Sequence, residues 1–115
     1  MENSNLELAL YYLRKYAEKD LPAIEELFAD DIVLRDWKIR VIGKEKAVDE
    51  TRKNFEVPKS IEIDVLATYE SANAVAAELK ITVEETEVLY VVDVIRFNSE
   101  QKIDGIRAYL GRGDD

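Results

Sequence analysis

The run Val88-Leu89-Tyr90-Val91-Val92-Asp93-Val94-Ile95-Arg96-Phe97 decides how this chain folds. From Val88 to Ile95 it is apolar on both alternations, broken only by Asp93. Such a run reads as a central strand covered on both faces. An aspartate there must find a partner or keep its proton, because an isolated buried charge is very costly. Perturbed carboxyls cluster at functional sites, although structural ion pairs produce them too. Leu89, Val91, Ile95 and Phe97 share the face of Asp93, while Val88, Tyr90, Val92 and Val94 take the other.

Outward from this strand, both neighbours in sequence also read as β. Ile61, Ile63, Val65, Ala67 and Tyr69 alternate with Glu62, Asp64, Leu66, Thr68 and Glu70. After a turn at Ser71–Asn73, Val75, Ala77, Leu79, Ile81 and Val83 alternate with Ala76, Glu78, Lys80, Thr82 and Glu84. Each predicts one inner and one wet face. Glu85–Glu87 makes the next turn, read as solvated rather than as a cation site. Beyond Phe97, Asn98–Gln101 turns the chain, Lys102–Leu110 forms a last strand, and Gly111–Asp115 is a frayed tail.

The N-terminal half carries helical spacing instead. Ser4 and Glu7 form a capping box, so a helix starts near Asn5. Leu6, Ala9, Leu10, Leu13, Tyr16 and Ala17 make its apolar face, with Tyr12 on the flank and Tyr11 nearly opposite. Asp20 caps a second helix with Pro22 in its first turn, burying Ile24, Leu27 and Phe28. Ile32–Asp36 reads as a short strand on which Ile32, Leu34 and Asp36 share a face. Lys38–Ile42 is a further short strand. Gly43 breaks it, and Lys44–Phe55 is a third helix burying Ala47, Val48, Thr51 and Phe55. The order predicts an α+β fold over residues 1–115, a single domain whose curved, largely antiparallel sheet is covered on one side by three helices.

Composition narrows the chemistry. There is no histidine and no cysteine, which removes the commonest general base, the usual zinc ligand, serine-type triads and disulfides. Acid–base work must then run on Asp, Glu, Tyr or Lys. The net charge of −9 disfavours nucleic acid and anionic membrane surfaces. Met1–Asn5 is polar and acidic, and the chain reads as cytoplasmic. No metal or cofactor is expected.

The stretch Asp20–Asp36, DLPAIEELFADDIVLRD, resembles the passage from second helix to first strand in the nuclear transport factor 2-like superfamily. That superfamily includes SnoaL-like proteins and ketosteroid isomerases. Gly43–Ala47 resembles its opening of the third helix. Val92–Asn98 and Lys102–Gly111 resemble its last two strands. The likeness covers nearly the whole chain. It implies a cone, a bent sheet wrapped round three helices and enclosing an apolar pocket, in a protein that pairs through the outer sheet face.

Ketosteroid isomerases are the nearest chemical comparison within that superfamily. They use a tyrosine on the first helix, a base aspartate at the end of the first strand, and a second aspartate on the penultimate strand. Tyr12, Asp36 and Asp93 occur here in that order. The resemblance implies Asp36 as proton-shuttling base, with Tyr12 and a protonated Asp93 as donors to an oxyanion. Trp37, Val91, Ile95, Phe97 and Tyr16 are the expected pocket lining for a small apolar ligand. Trp37 stands where the isomerases usually carry proline, and the link from Asp36 to Gly43 is shorter than theirs. The dehydratase-type branch needs histidines that are absent, and Val91 stands where the epoxide-hydrolase-type branch places an arginine.

Each candidate also has a purely structural reading. Asp93 can pair with Arg107, Arg96 or Arg40, Asp36 can cap a turn, and Tyr12 can be an ordinary core-edge tyrosine. The alternative function is a non-catalytic dimerisation module with a vestigial pocket, using the apolar face of Val88, Tyr90, Val92 and Val94 as its contact surface.

Overall fold

A computed structural model of the chain describes residues 3–113. The polar start at Met1 and Glu2 and the frayed end at Asp114 and Asp115 lie outside the described residues. The first helix, α1 (Asn5–Ala17), opens on the capping box. Ser4 Oγ accepts from Glu7 N at 3.0 Å, and Ser4 N donates to Glu7 Oε1 at 3.1 Å. These two bonds satisfy donors that a helix start otherwise leaves unpaired. The second helix, α2 (Leu21–Leu27), is capped by Asp20, whose Oδ1 accepts from Ala23 N at 3.2 Å. The third, α3 (Lys44–Glu56), follows Gly43 at φ +104°, a conformation that L side chains rarely adopt.

The strands are β1 (Phe28–Arg35), β2 (Arg40–Ile42), β3 (Ile61–Glu70), β4 (Ala74–Val83), β5 (Glu87–Phe97) and β6 (Ile103–Leu110). They form one open sheet in the order β2-β1-β6-β5-β4-β3. All pairings are antiparallel except β1 with β6, which is parallel, so the sheet is mixed. Three register shifts bend it, between Phe28 and Val33, between Val65 and Ala67, and between Arg96 and Phe97. The first inserts three extra residues in β1 relative to β6, the other two insert one residue each, in β3 and in β6, and such insertions increase local twist and curvature. The helices pack on the inner, concave face.

Several sequence expectations need correction. Phe28 does not end α2. It turns extended at once and opens β1 opposite Ile103, fully buried. Leu10, expected on the apolar face of α1, is 38% exposed, while Tyr12 on the flank of that face dips its ring into the core and is 4% exposed. Both follow from how α1 rolls into the concave sheet. The alternation of β3 does not run unbroken to Tyr69. The bulge near Leu66 reverses it, so Thr68 faces inward opposite Ala77 and Tyr69 is exposed. Among the described residues no element covers the outer side of β5, and Val88 is exposed.

The core lies between α1, α2 and the centre of the sheet. Ile24, Phe28, Ile32, Val75, Leu79, Ile95, Ile103 and Ile106 are all at 2% exposure or less. Burial of such side chains contributes about 1.5–3 kcal/mol each. This packed end leaves the other end of the cone open.

Candidate functional site

A cavity of about 360 Å³ opens at the end of the cone away from the packed core. That size lies in the range of small-molecule pockets, roughly 300–1,000 Å³. Leu13 of α1 and Ile61, Ile63, Ile81, Val83 and Val91 make its walls apolar. Its polar groups come from four places: Tyr12 and Tyr16 on α1, Asp36 and Lys38 in the β1–β2 turn, Glu50, Thr51 and Asn54 on α3, and Asp93 on β5.

Asp93 owes its setting to the strand register. Its lateral neighbours are Ala77 on β4 and Ala108 on β6, and Ala108 also borders the cavity. Two methyl side chains leave room above the carboxyl where larger residues would close it. Among the described residues, the Asp93 side chain makes no hydrogen bond and no ion pair. No buried side-chain nitrogen or oxygen among those residues lacks a partner, so the unpartnered Asp93 oxygens must reach open cavity space. Arg107, Arg96 and Arg40 point elsewhere and are exposed. Burial pushes the Asp93 carboxyl up to about 7, with the negative charge of Asp36 a second and smaller cause. Near neutral pH the group therefore holds its proton for a substantial fraction of the time.

Tyr12 is set against Asp93 by the same fold. Its hydroxyl has no partner among the described residues and so reaches the cavity as well. Burial first, then the charge of Asp93 and the neighbouring Tyr16, hold its proton well above the ordinary phenol range. Tyr12 remains an O–H donor at any physiological pH. Tyr16 lies one turn further on, its ring edge-on to Tyr12 at 5.9 Å and to Phe55 at 4.9 Å. Burial pushes it up to about 12, opposed by a hydrogen bond that Asn54 Nδ2 donates to its hydroxyl at 3.1 Å.

Asp36 sits just past the end of β1, in the four-residue link to β2. Its Oδ1 accepts from Lys38 N at 2.7 Å and Ile39 N at 2.8 Å, while Asp36 N donates to Ile39 O at 2.9 Å. The aspartate thus caps this tight turn. The cap also fixes the carboxylate at the cavity rim and leaves Oδ2 without a protein partner. The structural and functional readings of Asp36 are therefore compatible rather than exclusive.

Of the expected lining, Trp37, Tyr16 and Val91 border the cavity, with Trp37 at its rim and 43% exposed. Ile95 and Phe97 do not. They are buried in the core beneath, because β5 runs from the open end of the cone into the packed end. Glu50 and Asn54 were not anticipated. They sit at i and i+4 on α3, one step round from the apolar stripe Ala47–Thr51–Phe55, a spacing visible in the sequence.

A bent six-stranded sheet wrapped on three helices, with an acid–base cavity at its open end, defines an α+β cone protein of the nuclear transport factor 2-like class. The family model described as SnoaL-like domain matches residues 9–106, and the chain belongs to that family. No curated protein matches the chain at a significant level. Among solved structures, an NTF2-like protein of unknown function from Cytophaga hutchinsonii is similar with a TM-score of 0.81 at 14% identity, covering 96% of this chain and 93% of that one. A protein from Kribbella flavida described as a candidate ketosteroid isomerase gives 0.82 at 14%, covering 96% and 80%. An LEH-like epoxide hydrolase of M. tuberculosis gives 0.80 at 15%, covering 93% and 82%. At such identities the likeness establishes the fold and leaves the chemistry to the site.

Proposed function

We propose that this is a small-molecule-binding SnoaL-like protein that transfers a proton on a neutral, apolar carbonyl compound in the manner of a ketosteroid isomerase. One observation carries the reading: Tyr12, Asp36 and Asp93 converge on one apolar cavity, and Asp93 has no protein partner there. In the proposed reaction, the ligand carbonyl oxygen accepts hydrogen bonds from the Tyr12 hydroxyl and from protonated Asp93. Asp36 Oδ2 removes a proton from the carbon α to the carbonyl, and negative charge moves to the oxygen. Two donors fixed in a poorly solvated cavity stabilise that charge without reorganising. Asp36 then returns the proton to the γ carbon of the dienolate, so a β,γ-enone leaves as its conjugated isomer and the carboxylate is regenerated. No histidine, thiol or metal is needed. In the same reading the protein works in the cytoplasm as a homodimer paired through the outer sheet face.

The test is turnover of a Δ5-3-ketosteroid, followed by the absorbance of the conjugated enone. Wild type should convert it, and Asp36→Asn should lower the rate by about 10²–10⁴-fold, the usual worth of a positioned general base. Equal rates for both proteins would refute the assignment of Asp36.

A second reading is a non-catalytic dimerisation module that keeps the cavity as a relic. Two features favour it: Asp36 is already employed as a turn cap, and Val88 and Tyr109 lie exposed on the outer sheet face. Absence of any turnover, together with a stable dimer, would favour this reading over catalysis.

A further inference from the structure

The cavity carries donors at one end and acceptors at the other. Beside Asp93, the groups free to bond a ligand are the Tyr12 hydroxyl and, while it holds its proton, the Asp93 carboxyl. The mouth has two carboxylates instead, Asp36 in the β1–β2 turn and Glu50 on α3. Asp36 Oδ1 is taken by the N–H groups of Lys38 and Ile39, which leaves Oδ2. Glu50, with a side chain 26% exposed, has one polar side-chain contact among the described residues: Lys53 Nζ lies 3.5 Å from its Oε1. That is the outer limit of a hydrogen bond, and the same ammonium is shared with Asp49 Oδ2, also at 3.5 Å. Lys53 does not border the cavity.

The remaining polar groups near the mouth do not reverse this character. Thr51 donates its hydroxyl proton to Ala47 O at 2.8 Å, and Asn54 Nδ2 donates to the Tyr16 hydroxyl. Lys38 is the single cation among the lining residues, and it is exposed to solvent that screens it. Glu50 also stands apart from the donors. The charge of Asp36 raises both Asp93 and Tyr16, whereas Glu50 acts on neither of them nor on Tyr12. Between the ends, Leu13, Ile61, Ile63, Ile81 and Val83 offer a ligand apolar contact.

We propose that Glu50 selects the ligand by its far end: it accepts a hydrogen bond from a hydroxyl group on an elongated apolar ketone whose carbonyl oxygen meets Tyr12 and Asp93. The inference rests on the proposed function and adds to it the chemistry of the ligand's second end. A ligand with a hydroxyl there is oriented by both ends at once, acceptor inward and donor outward. A ketone in the same place sets an acceptor against two carboxylates and leaves both without a partner. An anionic group adds repulsion from Asp36 and Glu50 that one screened ammonium on Lys38 does not offset. With Glu50 holding the far end, Asp36 Oδ2 stays free to move the proton.

The experiment is equilibrium binding of testosterone, androstenedione and testosterone sulfate to the full chain, read by quenching of the single tryptophan, Trp37, at the cavity rim and repeated by equilibrium dialysis. The three steroids differ only at the end away from the ring ketone, which carries a hydroxyl, a ketone or a sulfate. All are already conjugated enones, so binding is measured apart from turnover. Wild type should bind the hydroxyl compound about fivefold or more tightly than the ketone, and the sulfate least. Glu50→Gln, whose amide both donates and accepts, should bring the hydroxyl-to-ketone ratio below about twofold and improve sulfate binding. Glu45→Gln removes the same charge from an exposed position of α3 outside the cavity and should keep the wild-type ratios. Equal wild-type binding of hydroxyl and ketone, a ratio unmoved by Glu50→Gln, or the same change in Glu45→Gln would overturn the role of Glu50. Tightest binding of the sulfate would hand the mouth to Lys38 and overturn it too. Any of these results alongside turnover of a Δ5-3-ketosteroid would leave the proposed catalysis intact. The expected ratios without turnover would support Glu50 and refute the catalysis, and no binding of any of the three would overturn both.

Discussion

Replacing Asp93 by Asn should make the protein more stable, by a margin that opens above about pH 4 and is complete above about pH 7. The carboxyl is pushed up to about 7 from an ordinary value of 3.8, first by burial and then by Asp36. Below 3.8 the folded and unfolded chains both hold this proton, and the group costs nothing. Between 3.8 and about 7 the folded state alone holds it, so the folded state binds more protons and stability falls as pH rises. Above about 7 both states have lost the proton, and the full penalty of a charged, unpartnered carboxylate is in place. At about 1.4 kcal/mol per pH unit, that interval amounts to as much as about 4 kcal/mol. Total stabilities of domains run about 5–15 kcal/mol, so the effect is large.

Asn matches protonated Asp in shape and has no charge to desolvate. Urea unfolding of both proteins from about pH 4.5 to 8.5, read by Trp37 fluorescence and circular dichroism, gives the comparison. Other carboxyls titrate in both proteins and cancel in the difference. The stability gap in favour of Asp93→Asn should widen steadily up to about pH 7 and then level off. Parallel stability curves across that range would refute the argument, since they would mean that Asp93 ionises as freely folded as unfolded. A gap of the opposite sign would mean that an unrecognised cation pairs with the carboxylate.

Two further outcomes follow from the same geometry. Asp36→Asn removes the smaller cause of the Asp93 shift, so the Asp93 midpoint should move down from about 7, measured by carbon-13 carboxyl chemical shifts in a pH titration. An unmoved midpoint would show that burial alone sets it. Ala108→Leu places a branched side chain beside Asp93 on the cavity wall. It should cost less than about 1–3 kcal/mol, the usual cost of overpacking, because the space is open, yet weaken binding of a naphthol probe by at least about tenfold. Unaltered probe binding would place the ligand elsewhere.

Much of this architecture is legible without coordinates because its elements announce themselves locally. Ser4 with Glu7 and Asp20 with Pro22 mark helix starts through hydrogen bonds that reach only three residues. The period-two pattern of β4 is uninterrupted, and its inner residues Val75, Ala77 and Leu79 are all buried. What local pattern cannot give is register. The bulge near Leu66 reverses β3 and sends Tyr69 outward; the alternation lapses there at Val65-Leu66-Ala67, but the lapse alone does not tell on which face it resumes. Phe28 satisfies a helical stripe and a strand equally well, and only its place beside Ile103 decides between them. In the site, the convergence of Tyr12, Asp36 and Asp93 is available from the resemblance. The contributions of Glu50 and Asn54 depend on how far α3 leans over the cavity mouth. The exclusion of Ile95 and Phe97 depends on where along β5 the cavity ends.

The cost at Asp93 bears directly on the choice between a working site and a relic. A buried charge is tolerable when a partner offsets it, but no such partner exists among the described residues. Asn would fit the same space between Ala77 and Ala108 without the penalty, and a small apolar residue would pack there at least as well. Packing therefore gives no reason for an acid at this position. Nor does solubility, since the carboxyl faces a cavity and not the surface, and the chain already carries a net charge of −9. The remaining physical use is as a donor whose proton is held near neutral pH beside a second donor, Tyr12, that never loses its own. Two convergent donors without a partner among the described residues are what the proposed function requires, since they supply half of an interaction that a ligand acceptor would complete.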